Sequence, residues 1–200
     1  RIFALALIEA EQQTVVGELE VKHRTLSEVP RLLMREPHSQ AVAKCVYDRQ
    51  GWSARNGGLE KRFILWASAD SSIEAFCKIS ENRHDFARLR YVRQDGMPAF
   101  YCPDFLVRTA DTIYLVETKA QKDVNHPDVQ RKLRAAVTWC AQISELPPAL
   151  RQDRQWHYVL LGETLCTDWQ QKGGNLADLL AFSRARETQS TNRQAPLTGL

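Results

Sequence analysis

Asp104, Glu117 and Lys119 are the residues of this chain whose types and spacing could do chemistry together. They lie in Tyr101–Asp123, YCPDFLVRTADTIYLVETKAQKD, which reads as two strands around a short turn. An ordinary buried strand would carry Val and Ile to its end. This one ends in Glu117, Thr118 and Lys119, and its partner opens with Asp104 between Pro103 and Phe105. A two-residue loop at Ala110-Asp111 pairs Thr109 with Thr112. Followed down the ladder, that register sets Asp104 directly opposite Glu117, side chains on one face and about 5 Å apart at Cβ. Lys119, two residues beyond Glu117, shares the face. A one-residue slip would destroy the alignment, so the expectation is sharp.

Opposed carboxylates repel, and each favours its neutral form unless a cation stands between them. A divalent metal supplies that charge, and hard oxygen ligands suit Mg²⁺, which keeps several waters beside one or two protein carboxylates. The Thr118 backbone carbonyl would add a further oxygen. Bound water becomes more acidic and a phosphoryl oxygen is polarised. The Lys119 ammonium would orient the attacking water or stabilise charge growing on phosphorus. Metal-assisted phosphodiester hydrolysis is the chemistry this constellation suits. Asp104→Ala is then expected to abolish metal binding and activity while relieving carboxylate repulsion. A bare acidic-x-Lys triplet occurs about once by chance in a chain of this size. Glu20-Val21-Lys22 is such a triplet without a preceding Pro-Asp, and Pro127-Asp128 has no later triplet and reads as a helix start. Only the pair at Asp104 and Glu117–Lys119 has strand context on both sides.

The elements that must hold these residues alternate in period. Residues 1–22 read as a β-hairpin, and helical stretches are expected around Leu26–Arg35 and Ser39–Gln50. Leu59–Asp70 reads as a helix with Leu59, Phe63, Trp66 and Ala67 on one face. Ile73–Glu81 is a short apolar segment, strand or helix. Ala87–Gly96 alternates and ends on an Asp95-Gly96 turn. After the hairpin the period changes to 3.6. Pro127 opens a helix with Asn125 or His126 at its cap, and Val129, Leu133, Ala136, Val137, Cys140 and Ile143 form its apolar stripe. Pro147-Pro148 stop it, Trp156–Gly162 reads as a buried strand, and Asn175–Glu187 as a last helix. Helix, strands, hairpin, helix and strand describe an α/β (α+β) core, a mixed sheet flanked by helices.

The chain of 200 residues is 44% hydrophobic, enough for one sizeable core. Its net charge of +3 neither requires nor forbids a polyanionic partner, since 27 basic residues could be laid out unevenly. The five cysteines, Cys45, Cys77, Cys102, Cys140 and Cys166, show no C-x-x-C spacing and read as thiols in a reducing cytosol. No apolar run approaches a membrane span and no signal peptide is visible, so a cytoplasmic protein away from membranes is expected. The chain opens on Arg1, as an excised domain of something longer would.

At the same residues the sequence resembles the PD-(D/E)xK nucleases, the restriction-endonuclease-like superfamily: Pro103-Asp104 matches PD and Glu117-Thr118-Lys119 matches ExK. GGLEKRF, YCPDFLVR, IYLVETKA and KLRAAVTWC further resemble the C-terminal nuclease domain of type III restriction-type helicase subunits, over roughly residues 57–180. The resemblance implies a restriction-endonuclease-like fold and a Mg²⁺-dependent DNA endonuclease in which Mn²⁺ substitutes, with helicase/ATPase and methylation subunits as partners in restriction–modification. It implies that Asp104 and Glu117 hold the metal, that Lys119 assists catalysis, and that Glu60 reaches the metal directly or through water. Residues 1–50 would be an accessory segment ending a preceding domain, 51–186 the nuclease domain, and 187–200 a flexible tail. Arg108, Lys122, Arg131 and Lys132 read either as phosphate contacts or as ordinary solvated charges. A non-catalytic nucleic-acid or subunit-binding module of the same fold is the alternative. Gly57-Gly58 and Gly173-Gly174 lack the P-loop pattern, so any motor lies elsewhere. Trp66, Tyr101, Trp139 and Trp156 have the apolar neighbours of core aromatics.

Overall fold

The computed structural model describes residues 7–8, 21–53 and 57–193, with side chains at 21–53 and 58–184. In chain order the elements are β1 (Leu7–Ile8), β2 (His23–Arg24), β3 (Ser39–Ala41), β4 (Arg49–Gly51), α1 (Gly57–Ala69), β5 (Ala75–Lys78), β6 (Leu89–Val92), β7 (Pro98–Tyr101), β8 (Phe105–Arg108), β9 (Thr112–Lys119), α2 (Pro127–Glu145), β10 (Gln155–Gly162), α3 (Glu163–Gln171) and α4 (Leu176–Arg193). The chain is mixed α/β, as its periodicities predict.

A central sheet runs in the order β10-β9-β8-β5. β5, β8 and β9 are antiparallel neighbours, whereas β10 lies parallel to β9 after a crossover through α2. Alternation along the strands sorts side chains to two faces. Ile113, Leu115, Leu106, Trp156 and Tyr158 pack towards the face covered by α2, with Leu133, Ala136, Cys140 and Ile143. Val107, Tyr114, Val116, Val159 and Leu161 meet the residues of α1 and α4, among them Phe63, Ile64, Leu179 and Leu180. The result is a sheet between helical layers, and each fully buried Leu or Phe in it contributes about 1.5–3 kcal/mol. The Phe63 and Phe105 rings lie 4.5 Å apart and tie α1 to the strand that follows Asp104.

α2 begins and ends as expected. Pro127 occupies its first turn, the His126 ring accepts from the Asp128 N–H, and Val129, Leu133, Ala136, Cys140 and Ile143 are its buried residues. The turn at Asp95-Gly96 also forms, with Gly96 at φ +81°, and joins β6 to β7 as a separate ribbon.

Four stretches depart from sequence expectation. Leu26–Arg35 and Ser39–Gln50 are not helices. Short 3₁₀ turns stand at Leu26–Glu28 and Glu36–His38, and β3 pairs with β4 from Ser39↔Gly51 to Ala41↔Arg49. Pro30 removes a donor that a helix over Leu26–Arg35 needs, and the Arg49 guanidinium ties the ribbon by donating to the Ser39 carbonyl at 3.2 Å. α3 forms directly off β10, with Gly162 as its N-terminal cap and no loop between to announce it. α4 continues to Arg193, past the Glu187 boundary of the expected tail, and residues 194–200 lie outside the described residues.

The hairpin expected over residues 1–22 falls largely outside the described residues; within them Leu7 pairs with Arg24 and Ile8 with His23. Packing does not break at residue 50. Leu26, Val29 and Tyr47 join the same core as Leu106 and Ile113, and the Phe76 N–H donates to the Lys44 carbonyl at 2.9 Å. All five cysteines are free thiols. Among the described residues no helix is long and apolar enough to cross a membrane.

Candidate active site

β8 and β9 form the hairpin in the register that the two-residue loop dictates. Phe105 pairs with Val116, Leu106 with Leu115, Val107 with Tyr114 and Arg108 with Ile113, and the Thr109 N–H closes the turn on the Thr112 carbonyl at 2.9 Å. Asp104, one residue before β8, is thereby level with Glu117, and the parity of Leu106, Leu115 and Ile113 directs both, with Lys119, to the α2 face. The Asp104 backbone is itself fixed, because its carbonyl accepts the Ile79 N–H at 2.8 Å.

The two carboxylates have different surroundings. One oxygen of Asp104, Oδ2, accepts the Thr118 N–H at 2.8 Å and the Thr118 hydroxyl at 2.7 Å. Oδ1 carries no hydrogen bond among the described residues. Glu117 is only 4% exposed. Its Oε1 pairs with the Lys119 ammonium, while its Oε2 is buried with no hydrogen-bond partner. Burial, then the Asp104 charge, push the Glu117 carboxyl up to about 7, against the pull of Lys119 and Lys132. Burial alone would lower Lys119; the Glu117 carboxylate, with Asp104 and Glu60, overrides it and holds the ammonium above its ordinary value.

Glu60 stands at the margin. Its carboxylate accepts the Ser53 N–H at 2.8 Å and pairs with the Lys78 ammonium at 3.4 Å, and its charge also acts on Lys119, so α1 joins the site through both lysines. Lys132, on α2, lies over the rings of Tyr91 and Tyr101 at 5.6 and 5.5 Å and acts on Glu117 from there. The Tyr101 hydroxyl donates to the Lys132 carbonyl at 3.0 Å, and the Tyr158 hydroxyl sits beside that of Tyr101 in the field of Glu117. Burial holds both phenols well above their ordinary range, so they are neutral.

Lys122 is exposed in the 3₁₀ turn Gln121–Asp123 that leaves β9, and Arg131 is half-buried on α2. Arg108 is placed elsewhere. Four residues up the strand from Asp104, a rise of about 13 Å, it pairs with Glu74 at 3.1 Å at the turn end of the sheet. Strand length thus sets it apart from the two carboxylates.

No protein-family model, no curated protein and no solved structure matches this chain. The case for function therefore stands on the residues themselves.

Lys78 and Tyr158 were not singled out by sequence. Lys78 could have been, since a lysine ending an apolar strand, Ala75-Phe76-Cys77-Lys78, repeats the pattern that exposed Lys119. Tyr158 carried no such signal, because its place beside Glu117 depends on the crossover that lays β10 along β9.

The donor set fits a hard divalent cation. A buried carboxylate oxygen without a partner, an opposed aspartate with one oxygen uncommitted, and a carboxyl pushed up by burial and by that aspartate's charge are what an oxygen-coordinated ion relieves. Among the described residues no three His, Cys, Asp or Glu side chains converge. The protein would thus offer two carboxylates, the number with which Mg²⁺ commonly retains its water.

Proposed function

We propose that this chain is a nuclease domain of the PD-(D/E)xK type, hydrolysing DNA phosphodiester bonds with Mg²⁺, Mn²⁺ serving in its place, and that it works within a larger restriction-type helicase–nuclease. The single observation that carries the reading is the unpartnered Glu117 Oε2, buried opposite Asp104 with the Lys119 ammonium on the adjoining oxygen.

Asp104 and Glu117 would hold the ion, joined by the Thr118 carbonyl. When bound, it supplies the Lewis acidity that polarises a phosphoryl oxygen and acidifies water. Thr118 keeps Asp104 in place through two hydrogen bonds, which fixes one oxygen and leaves the other for a ligand. Lys119, paired with Glu117 on the same face, would stabilise charge growing on phosphorus or orient the attacking water. Glu60 acts as a positioning residue through Lys78, with a water-mediated approach to the ion as its further role. The neutral hydroxyls of Tyr101 and Tyr158 add no negative charge beside Glu117. Lys122, Arg131 and Lys132 would supply positive charge towards a phosphate backbone.

Plasmid cleavage by the purified chain in EDTA, Mg²⁺ and Mn²⁺, beside Lys119→Ala, tests this reading. Metal-dependent nicking lost in the variant is expected. Cleavage that persists in EDTA, or at full rate in Lys119→Ala, would refute the assignment.

A further inference from the structure

A cavity of about 730 Å³ opens beside β5, between that strand and the segment from Arg31 to Arg35. Its walls combine two kinds of residue. Arg31, Arg35, Arg83 and Lys78 bring positive charge, while Trp52, Met34, Ile79 and their neighbours bring apolar surface. Among the described residues none of its walls carries a carboxylate, and none of the three arginines forms an ion pair. Lys78 is the one basic wall residue with an acidic partner, and that partner is Glu60. A concentration of unneutralised guanidinium groups costs stability by self-repulsion and attracts a polyanion.

The cavity adjoins the proposed catalytic centre by covalent and hydrogen-bonded continuity. Ile79 forms part of its wall, and the Ile79 N–H is the donor that fixes the Asp104 carbonyl at 2.8 Å. Lys78 pairs in register with Phe105, the residue after Asp104. Adjacent strands lie about 5 Å apart, so an extended chain leaving the carboxylates crosses a single strand to enter the cavity. Gly51 permits this concavity: a Cβ there would meet the His38 carbonyl at 3.3 Å and the Met34 side chain at 3.7 Å.

We infer that this cavity is the seat of an unpaired nucleic-acid strand running to the Asp104–Glu117 centre, its phosphates on Arg31, Arg35 and Arg83 and its bases against the apolar wall that includes Trp52. The inference rests on the nuclease reading for the direction of the strand, and names the substrate class as single-stranded or frayed rather than intact duplex. Size decides between these. A volume of this order accommodates a few nucleotide-sized groups, whereas a duplex presents its bases inward and offers an apolar wall nothing to hold. Interleaved basic and apolar surface is how proteins track single strands without reading sequence.

The test is fluorescence anisotropy of a short fluorescein-labelled oligothymidylate in EDTA, where no metal-dependent cleavage competes, against the same strand annealed to oligodeoxyadenylate. Wild-type protein should bind the single strand more tightly than the duplex. Arg35→Glu with Arg83→Glu, both exposed positions, should weaken single-strand binding at least tenfold. The salt dependence of log K should fall by about 0.7 or more for each arginine reversed. Duplex affinity should change much less. Equal loss for single strand and duplex, no loss for either, or no single-strand binding by the wild type would overturn the inference. The two proposals fail separately. Arginine-dependent binding of the single strand, with cleavage indifferent to Lys119→Ala, would keep the cavity and remove the nuclease centre. Lys119-dependent cleavage with an arginine-indifferent affinity would do the reverse.

Discussion

Glu117→Gln is the perturbation whose outcome the site determines most closely. The Glu117 carboxyl is pushed up to about 7 from an ordinary value of 4.5, first by burial and then by Asp104. The folded protein therefore keeps this proton where the unfolded chain has released it. Between the two values the folded state binds more protons, so this residue's contribution to stability is full below 4.5 and declines as pH rises through about 7. At 1.36 kcal/mol for each unit, the loss is about 3 kcal/mol, net of the attraction from Lys119. Glutamine keeps the shape and cannot ionise. Relative to wild type, Glu117→Gln should thus gain about 3 kcal/mol on going from about pH 4.5 to about pH 8. Urea unfolding followed by tryptophan emission measures both proteins at both values, and the difference cancels titrating groups that do not act on Glu117. Millimolar Mg²⁺ should narrow the gap at the higher pH by stabilising wild type alone. A gap that does not change with pH, or a variant less stable at pH 8 than at pH 4.5 relative to wild type, would refute the account of Glu117 as a desolvated, charge-starved carboxyl.

Lys119→Ala should reduce cleavage by about 10²–10³-fold, and its unfolding curve near pH 5, where Glu117 is protonated, should stay close to wild type. Asp104→Ala should lose metal-dependent activity but, against the simple repulsion expectation, destabilise the fold by about 2 kcal/mol. It strands the Thr118 N–H and hydroxyl that now bond to Oδ2. Asp104→Asn, which keeps an acceptor, should recover most of that loss in urea titrations while remaining inactive. His84 is fully buried, accepts the Ser80 N–H at 2.9 Å through Nδ1, and therefore donates from Nε2 to the Tyr47 hydroxyl at 2.8 Å. Burial lowers it to about 4 from 6.5, so its contribution is complete above 6.5 and is lost, by about 3 kcal/mol, as pH falls towards 4. Replacing it, as in His84→Gln, should flatten the acid limb of the stability profile in that window.

The hairpin was legible because two independent signals agreed. A two-residue loop admits one register, and the apolar parity of Leu106, Ile113 and Leu115 requires the same one. α1 and α2 were legible from stripes that recur every three to four residues. The ribbon β3–β4 was not, since a short strand pair that buries only the polar Ser39 and Gln50 carries no apolar alternation, and Val42 and Ala43 fit either period. In the site, the three groups carried on one hairpin could be placed by arithmetic. Lys78, Lys132 and Tyr158 could not, because each reaches Glu117 or Glu60 through the packing of different layers, and no local pattern encodes that packing.

β9 is an interior strand, and its two neighbours reach it on different schedules. β8 is joined to it by a two-residue turn, while β10 returns only after α2 has been traversed. A hairpin of this kind closes in about 1–10 μs, and at that stage Glu117 still faces water on the side that Lys132, Tyr101 and Tyr158 later cover. Its desolvation is thus deferred to the docking of the Pro127–Gly162 unit. A late step that must dehydrate a carboxylate slows when the carboxylate is charged. The refolding rate should therefore slow as pH rises through about 7, by no more than the equilibrium stability falls.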